Sequence, residues 1–209
     1  MKKFFIAGLL VLSFVQSYAQ NTLADVFNGK AKVVFLGLDF THAKYIGSPG
    51  FTDPNAIQNQ HMVSWNTLIE AEPKKFSLEK PLKLRADQYS AKVADMIKQN
   101  KNANVADNII NESYTLTEDQ ARKAVSKYAL SEKEGVGVVY VVESLNKTLE
   151  KMTVWVTFID LSTRKVLLIE KVEGKAAGFG FRNYWAGAVY KINGNIGSDY
   201  YKKWSQAAK

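Results

Sequence analysis

A chain of 209 residues that is 46% hydrophobic, 23% charged and 12% aromatic can bury one sizeable core, and 13 Gly with 4 Pro exclude a collagenous or low-complexity chain. The absence of Cys excludes disulfides, thiolate metal sites, a cysteine nucleophile and the lipid-bearing Cys of a bacterial lipoprotein. The formal charge of +8 is modest, and acidic and basic residues interleave between positions 70 and 101 rather than forming the basic stripe of a nucleic-acid binder.

The first element is a targeting signal. Lys2 and Lys3 precede an apolar run over 4–15 that only Gly8 and Ser13 interrupt, and Ser17-Tyr18-Ala19 forms a small-x-small site. About a dozen apolar residues fall short of the ~20 that span a bilayer. The pattern predicts a cleaved secretory signal peptide over 1–19, with the cut between Ala19 and Gln20. The remaining 20–209 is expected to form one domain without a transmembrane segment. Losing Lys2 and Lys3 lowers the formal charge from +8 to +6. An exported chain of this size without Cys points to a bacterial envelope, where the protein would be periplasmic or secreted.

Residues 32–40 are apolar on both faces, the pattern of a strand in the middle of a covered sheet. Gly47, Pro49, Gly50 and Pro54 make 41–55 a long loop. Asp53 before Pro54 is a candidate N-cap for a helix over 56–70, whose apolar face carries Ile57, His61, Trp65 and Leu68. The stretch 74–85 suggests a short edge strand around Phe76. Helical spacing of Tyr89, Val93, Met96 and Ile97 follows, then an Asn-rich loop over 100–111. Thr117 and Gln120 form a capping box that opens a helix to about Leu130.

The C-terminal third carries the clearest pattern. Runs over 136–143, 151–160 and 166–172 read as strands, the last two joined by a polar turn over 161–165 as an antiparallel hairpin. A helix is expected from Asn183, with Trp185, Ala188, Val189 and Ile192 on its buried face and Gly194 and Gly197 as its stop. Strands interleaved with helices, then the hairpin and a closing helix, describe a single-domain mixed α/β sheet flanked by helices.

Two loops are the candidate contact surface. The long loop over 41–55 carries His42, Tyr45 and Phe51, and loops of that length inside a compact domain are often functional. The second loop places Phe179 and Phe181 around Gly180 and is followed by Arg182; aromatic and Arg side chains dominate interface hot spots. Gly174, Gly178 and Gly180 do not make a phosphate loop, since no Lys-Ser/Thr follows and Asn183 stands where a third Gly would be. No nucleophile elbow and no His-Glu-x-x-His is present, so no catalytic residue, metal site or cofactor is assigned. One alternative is a metal-dependent hydrolase around Asp39, His42 and His61, which requires those three side chains to converge. Another is a small-ligand or glycan-binding module using Trp65 or Trp185.

The strand Val33-Val34-Phe35-Leu36-Gly37-Leu38-Asp39-Phe40, the strand that begins Gly135-Val136-Gly137, and the sequence Asp160-Leu161-Ser162-Thr163-Arg164-Lys165-Val166-Leu167 together resemble one group of envelope proteins. That group comprises the curli-secretion lipoproteins, the penicillin-binding-protein activator lipoproteins and the N-terminal domain of the Tol–Pal propeller protein. The resemblance covers 32–40 and 136–196. The chain departs from the group in lacking the lipid-accepting Cys and in carrying Glu143 where Gly is common. The resemblance implies a periplasmic, non-enzymatic domain that docks on another cell-envelope protein.

Overall fold

The computed structural model describes residues 20–209; the expected signal peptide lies outside the described residues. In chain order the elements are α1 (Leu23–Phe27), β1 (Val33–Asp39), β2 (Lys44–Ile46), α2 (Pro54–Ala56), a π-turn (Ile57–His61), α3 (Met62–Ala71) and α4 (Pro73–Phe76). There follow β3 (Tyr89–Ala91), α5 (Ala94–Gln99), β4 (Ile109–Ile110), α6 (Glu118–Val125), β5 (Val136–Asn146), β6 (Lys151–Asp160) and β7 (Val166–Lys175). The chain closes with α7 (Phe181–Asn195), a second π-turn (Ile196–Tyr200) and α8 (Tyr201–Ala207).

The strands form one open mixed sheet. β1 and β2 lie end to end along one edge of β5, all parallel, with Asp39 opposite Val141 and Lys44 opposite Ser144. β3 extends the sheet beyond β1, and β4 extends it beyond β2, again in parallel. On its other edge β5 pairs antiparallel with β6, and β6 with β7, which is the expected C-terminal hairpin. β2, β5 and β7 therefore all end on the same side of the molecule.

The break between β1 and β2 is held by side chains. A bulge at Gly37 (φ +102°) shifts β1 against β5, and a Cβ there would meet Asn66 Oδ1 at 2.2 Å, so only Gly fits. The freed backbone groups are buried and need partners. Asn66 accepts from the Leu38 N–H at 2.8 Å and donates to the Leu38 carbonyl at 3.1 Å. Asn100 accepts from the Phe40 N–H at 2.7 Å and donates to Leu38 O at 2.8 Å. Both asparagines are buried.

Each face of the sheet is covered. On one, Phe35, Tyr140, Val154 and Phe158 pack with Trp65 of α3, Trp185 and Ile192 of α7, and Trp204 of α8. On the other, Val34, Leu36, Val139, Val141 and Ile159 pack with Met96 of α5, Ala121 and Val125 of α6, and Tyr128. The capping box at α6 is formed, with the Gln120 N–H on Thr117 Oγ1 at 3.2 Å and the Thr117 N–H on Gln120 Oε1 at 2.9 Å. The helix ends at Val125 rather than near Leu130, and Tyr128 leaves it to hydrogen-bond buried Asp39.

Three further expectations are corrected. Phe76 ends a short helix, not an edge strand, because Pro73 occupies the first helical position and Phe76 is buried in the core. The loop over 41–55 contains β2, a three-residue strand between partners on both sides. Gly194 and Gly197 do not stop the last helix, which begins at Phe181 and continues through the second π-turn into α8. Burial of Ile192, Ile196 and Trp204 carries the helix past both glycines.

Candidate functional site

Three loops meet where β2, β5 and β7 end: 47–53, 147–150 and 176–180. Open α/β sheets place ligands outside the carboxyl ends of their strands, so this end is where a functional surface is first sought. The loop after β7 is anchored at both ends, by the Ala176 N–H on Glu150 O at 2.7 Å and by the Tyr184 N–H on Gly180 O at 2.9 Å. Gly178 (φ +138°) and Gly180 (φ +77°) turn the chain sharply around the residue between them. That residue, Phe179, is 95% exposed.

The sequence-predicted site residues separate into two groups. Phe179, Phe181 and Arg182 form the outer surface, with Arg182 exposed and Phe181 half-buried. Tyr45 and Phe51, expected as contact side chains, are 1% and 2% exposed. The reason is Trp185, which α7 brings under the loop: Phe51 stacks on it at 5.6 Å and meets Tyr45 edge-on at 5.4 Å. Phe181 packs on this floor, 6.0 Å from Phe51, 6.0 Å from Trp65 and 4.8 Å from His61. The two loops do converge, but one supplies the floor and the other the projecting side chain.

Polar contacts fix the start of α7 over α3. Trp65 Nε1 donates to the Arg182 carbonyl at 2.9 Å, and Arg182 Nε donates to Ser64 Oγ at 2.5 Å. Desolvation by burial pushes the His61 imidazole below its ordinary range; the Arg182 charge adds to this and the Asp53 carboxylate opposes it. The His61 ring lies between Trp65, stacked at 5.7 Å, and Phe181. Lys147 Nζ lies 3.9 Å from the Tyr184 ring centroid, a cation–π contact on the opposite flank of Phe181. Leu149, in the neighbouring β5–β6 turn, is 60% exposed. Sequence reasoning missed Lys147, Leu149 and Tyr184; an apolar Leu inside the polar turn Asn146-Lys147-Thr148-Leu149-Glu150 was the available signal.

Two cavities flank Phe181. One of about 270 Å³ is lined by Gly50, Lys147, Gly178, Gly180, Tyr184 and Trp185, and one of about 220 Å³ by Gly50, Thr52, Asp53, Ile57 and His61. Both fall below the roughly 300–1,000 Å³ of ordinary ligand pockets.

The alternative centred on Asp39, His42 and His61 finds no support in the geometry. Asp39 is buried, takes a short hydrogen bond from the Tyr128 hydroxyl, and accepts from Thr41 N–H and Oγ1 at 2.8 and 2.7 Å. Tyr128 belongs to one face of the sheet, whereas His61 stacks on Trp65, which packs on the other. His42 is exposed. Among the described residues no three His, Cys, Asp or Glu side chains gather as a metal ion requires.

Asp160, the acid of the strand–Asp–turn motif, is structural. One carboxylate oxygen accepts from Ser162 Oγ at 2.6 Å and from Thr163 N–H and Oγ1 at 2.7 Å each. The other accepts from the Asn21 N–H at 2.7 Å and its amide at 3.0 Å. Burial alone would raise this carboxyl, but the hydrogen bonds from Ser162, Thr163 and Asn21 outweigh it and hold it well below the usual carboxylate range. Glu143 is likewise committed, to Lys171 Nζ at 2.6 Å and the Leu116 N–H at 3.0 Å.

No protein-family model, curated protein or solved structure matches the chain. No helix among the described residues is long and apolar enough to cross a membrane.

Proposed function

We propose that the chain is an exported, non-enzymatic domain of the bacterial cell envelope that binds another envelope protein through the Phe179 loop. The observation that carries this reading is Phe179 itself, 95% exposed on a loop anchored at both ends over a packed aromatic floor. An exposed large apolar side chain in a pinned loop costs little conformational entropy when a partner covers it. Leu149 adds apolar surface in the neighbouring turn, and Lys147 and Arg182 supply positive charge around it. The partner face that fits is an apolar socket with an acidic rim. The undersized cavities beside Phe181 favour a protein partner over a small ligand or glycan.

Export rests on the n-region, apolar run and Ser17-Tyr18-Ala19 site, and a periplasmic or secreted location follows from it. The resemblance of 32–40 and 136–196 to envelope docking domains supports the same reading. The test is affinity capture of the tagged protein from crosslinked native envelope, beside the Phe179→Ala variant. A stoichiometric partner captured by the parent and lost from the variant is expected. A partner retained by Phe179→Ala would overturn the site, and the absence of any captured protein would overturn the adaptor reading.

A further inference from the structure

A further cavity lies away from the Phe179 loop, between the 73–81 segment and α7. It measures about 530 Å³, within the size range of small-molecule sites, and is lined by Lys74, Lys75, Ser77, Glu79, Lys80 and Tyr89, with Tyr190 and Gly194 on the α7 side. Its walls are tied together rather than loosely apposed. Buried Asn193 of α7 donates to the Phe76 carbonyl at 2.9 Å and accepts from the Tyr140 hydroxyl at 2.7 Å.

The lining carries a surplus of positive charge on exposed lysines, one of which, Lys75, lies 5.2 Å from the Phe76 ring centroid. Three lysines against one glutamate give it a formal charge of +2, and none of Lys74, Lys75 and Lys80 makes an ion pair among the described residues. The Tyr89 hydroxyl is buried and makes no hydrogen bond of good geometry. Burial pushes its pKa up to about 12, with the Leu78 backbone opposing and the nearby Glu79 charge adding to the rise. Tyr190, 52% exposed, stands at the rim as an uncovered aromatic. Beyond Gly194 the helix passes into its second π-turn, where Gly197 lies against Pro81. Such turns often accompany functional sites.

We infer that this cavity is a second site, for a phosphate ester carried on a hydroxylated ring. A charge of +2 on compact ammonium groups matches a phosphate monoester, which carries about −1.5 to −2 at neutral pH. Glu79 would repel the phosphate but accepts hydrogen bonds from ring hydroxyls, while Tyr190 covers a ring face. The lining therefore selects a ligand both anionic and rich in hydroxyls. That chemistry occurs in a soluble sugar phosphate and in an inositol phosphate lipid headgroup.

The test is calorimetry on the purified protein with glucose 6-phosphate, inorganic phosphate and glucose, beside sedimentation with phosphatidylcholine vesicles with and without phosphatidylinositol 4-phosphate. Glucose 6-phosphate is expected to bind more tightly than inorganic phosphate, and glucose not measurably. Binding confined to the phosphoinositide vesicles also supports the site and assigns the lipid source. In either case Lys74→Gln/Lys80→Gln, at exposed positions and with unchanged melting, should weaken binding about tenfold. Tyr190→Ala should weaken the sugar phosphate several-fold and leave inorganic phosphate unchanged. Binding that ignores the lysine substitutions, equal affinity for inorganic phosphate and sugar phosphate, or no binding by any probe would each overturn the inference.

Discussion

Replacing Asp160 with Asn should cost about 2 kcal/mol of folding stability at neutral pH, and the loss should fade in acid. In the parent the carboxylate accepts five hydrogen bonds from Ser162, Thr163 and Asn21. An Asn retains one acceptor oxygen. If that oxygen serves the turn, the new amide faces the two Asn21 donors and releases the N-terminal segment from the sheet. A hydrogen bond to a charged acceptor contributes roughly 1.5–3 kcal/mol; both Asn21 donors sit on one half-buried residue where water replaces part of what is lost, so together they count for about one such bond, about 2 kcal/mol. The sign with pH follows from the depressed carboxyl. Its contribution is complete above the unfolded value of about 3.9 and is lost as pH falls towards the lower folded value. Urea denaturation of parent and Asp160→Asn at pH 7 and in steps below pH 4 should show a gap of about 2 kcal/mol that closes in acid. A gap under about 0.5 kcal/mol at pH 7, or one that stays constant into acid, would refute this assignment.

The two loop phenylalanines should separate stability from binding. Phe181→Ala removes a half-buried ring from Phe51, Trp65 and His61 and should cost about 2 kcal/mol in denaturant titration. Phe179→Ala should change stability by less than about 0.5 kcal/mol, because the ring touches solvent. Asn66→Ala leaves the buried Leu38 N–H without its acceptor and should cost about 3 kcal/mol; a loss under 1 kcal/mol would show that the bulge satisfies itself. In an NMR titration the His61 ring should have its midpoint below about 6.5, and Arg182→Met should raise it. Since the folded value is the lower one, stability linked to neutral His61 is present above about 6.5 and declines as pH falls; a midpoint at or above that value would contradict the desolvation of this half-buried ring.

The central strands were legible because their residues are apolar on both faces or strictly alternate, patterns that a three-layer sandwich imposes whatever the loops do. β6 falls on its expected bounds, while β5 runs three residues beyond its apolar core because β2 pairs with Ser144, Leu145 and Asn146. β2 itself could not be read: three residues carry no period, and only the neighbouring strands make them a strand. The helix through Gly194 and Gly197 was misread because local propensity favours a stop there, whereas burial of Ile196 and Trp204 favours continuation.

The site was half legible for a similar reason. Glycines on both sides of Phe179 mark a sharp turn, and a large residue at its tip has nowhere to pack. Tyr45 and Phe51 carry no such mark, because their burial depends on Trp185 arriving from more than a hundred residues away in sequence. The lysine cavity was not visible at all. Its lining joins 73–81 to 190–194, and neither segment alone differs from an ordinary solvated surface.

The most direct measurement of the docking surface places a photo-crosslinking benzophenone amino acid at position 179 in the full-length protein, expressed in its native envelope. A second copy of the experiment places it at exposed Lys209, near the far end of the chain. Illumination should give one discrete, high-yield crosslinked protein from position 179 and none from position 209. No product from 179, or the same products from both positions, would contradict the claim that the Phe179 loop is where this protein meets its partner.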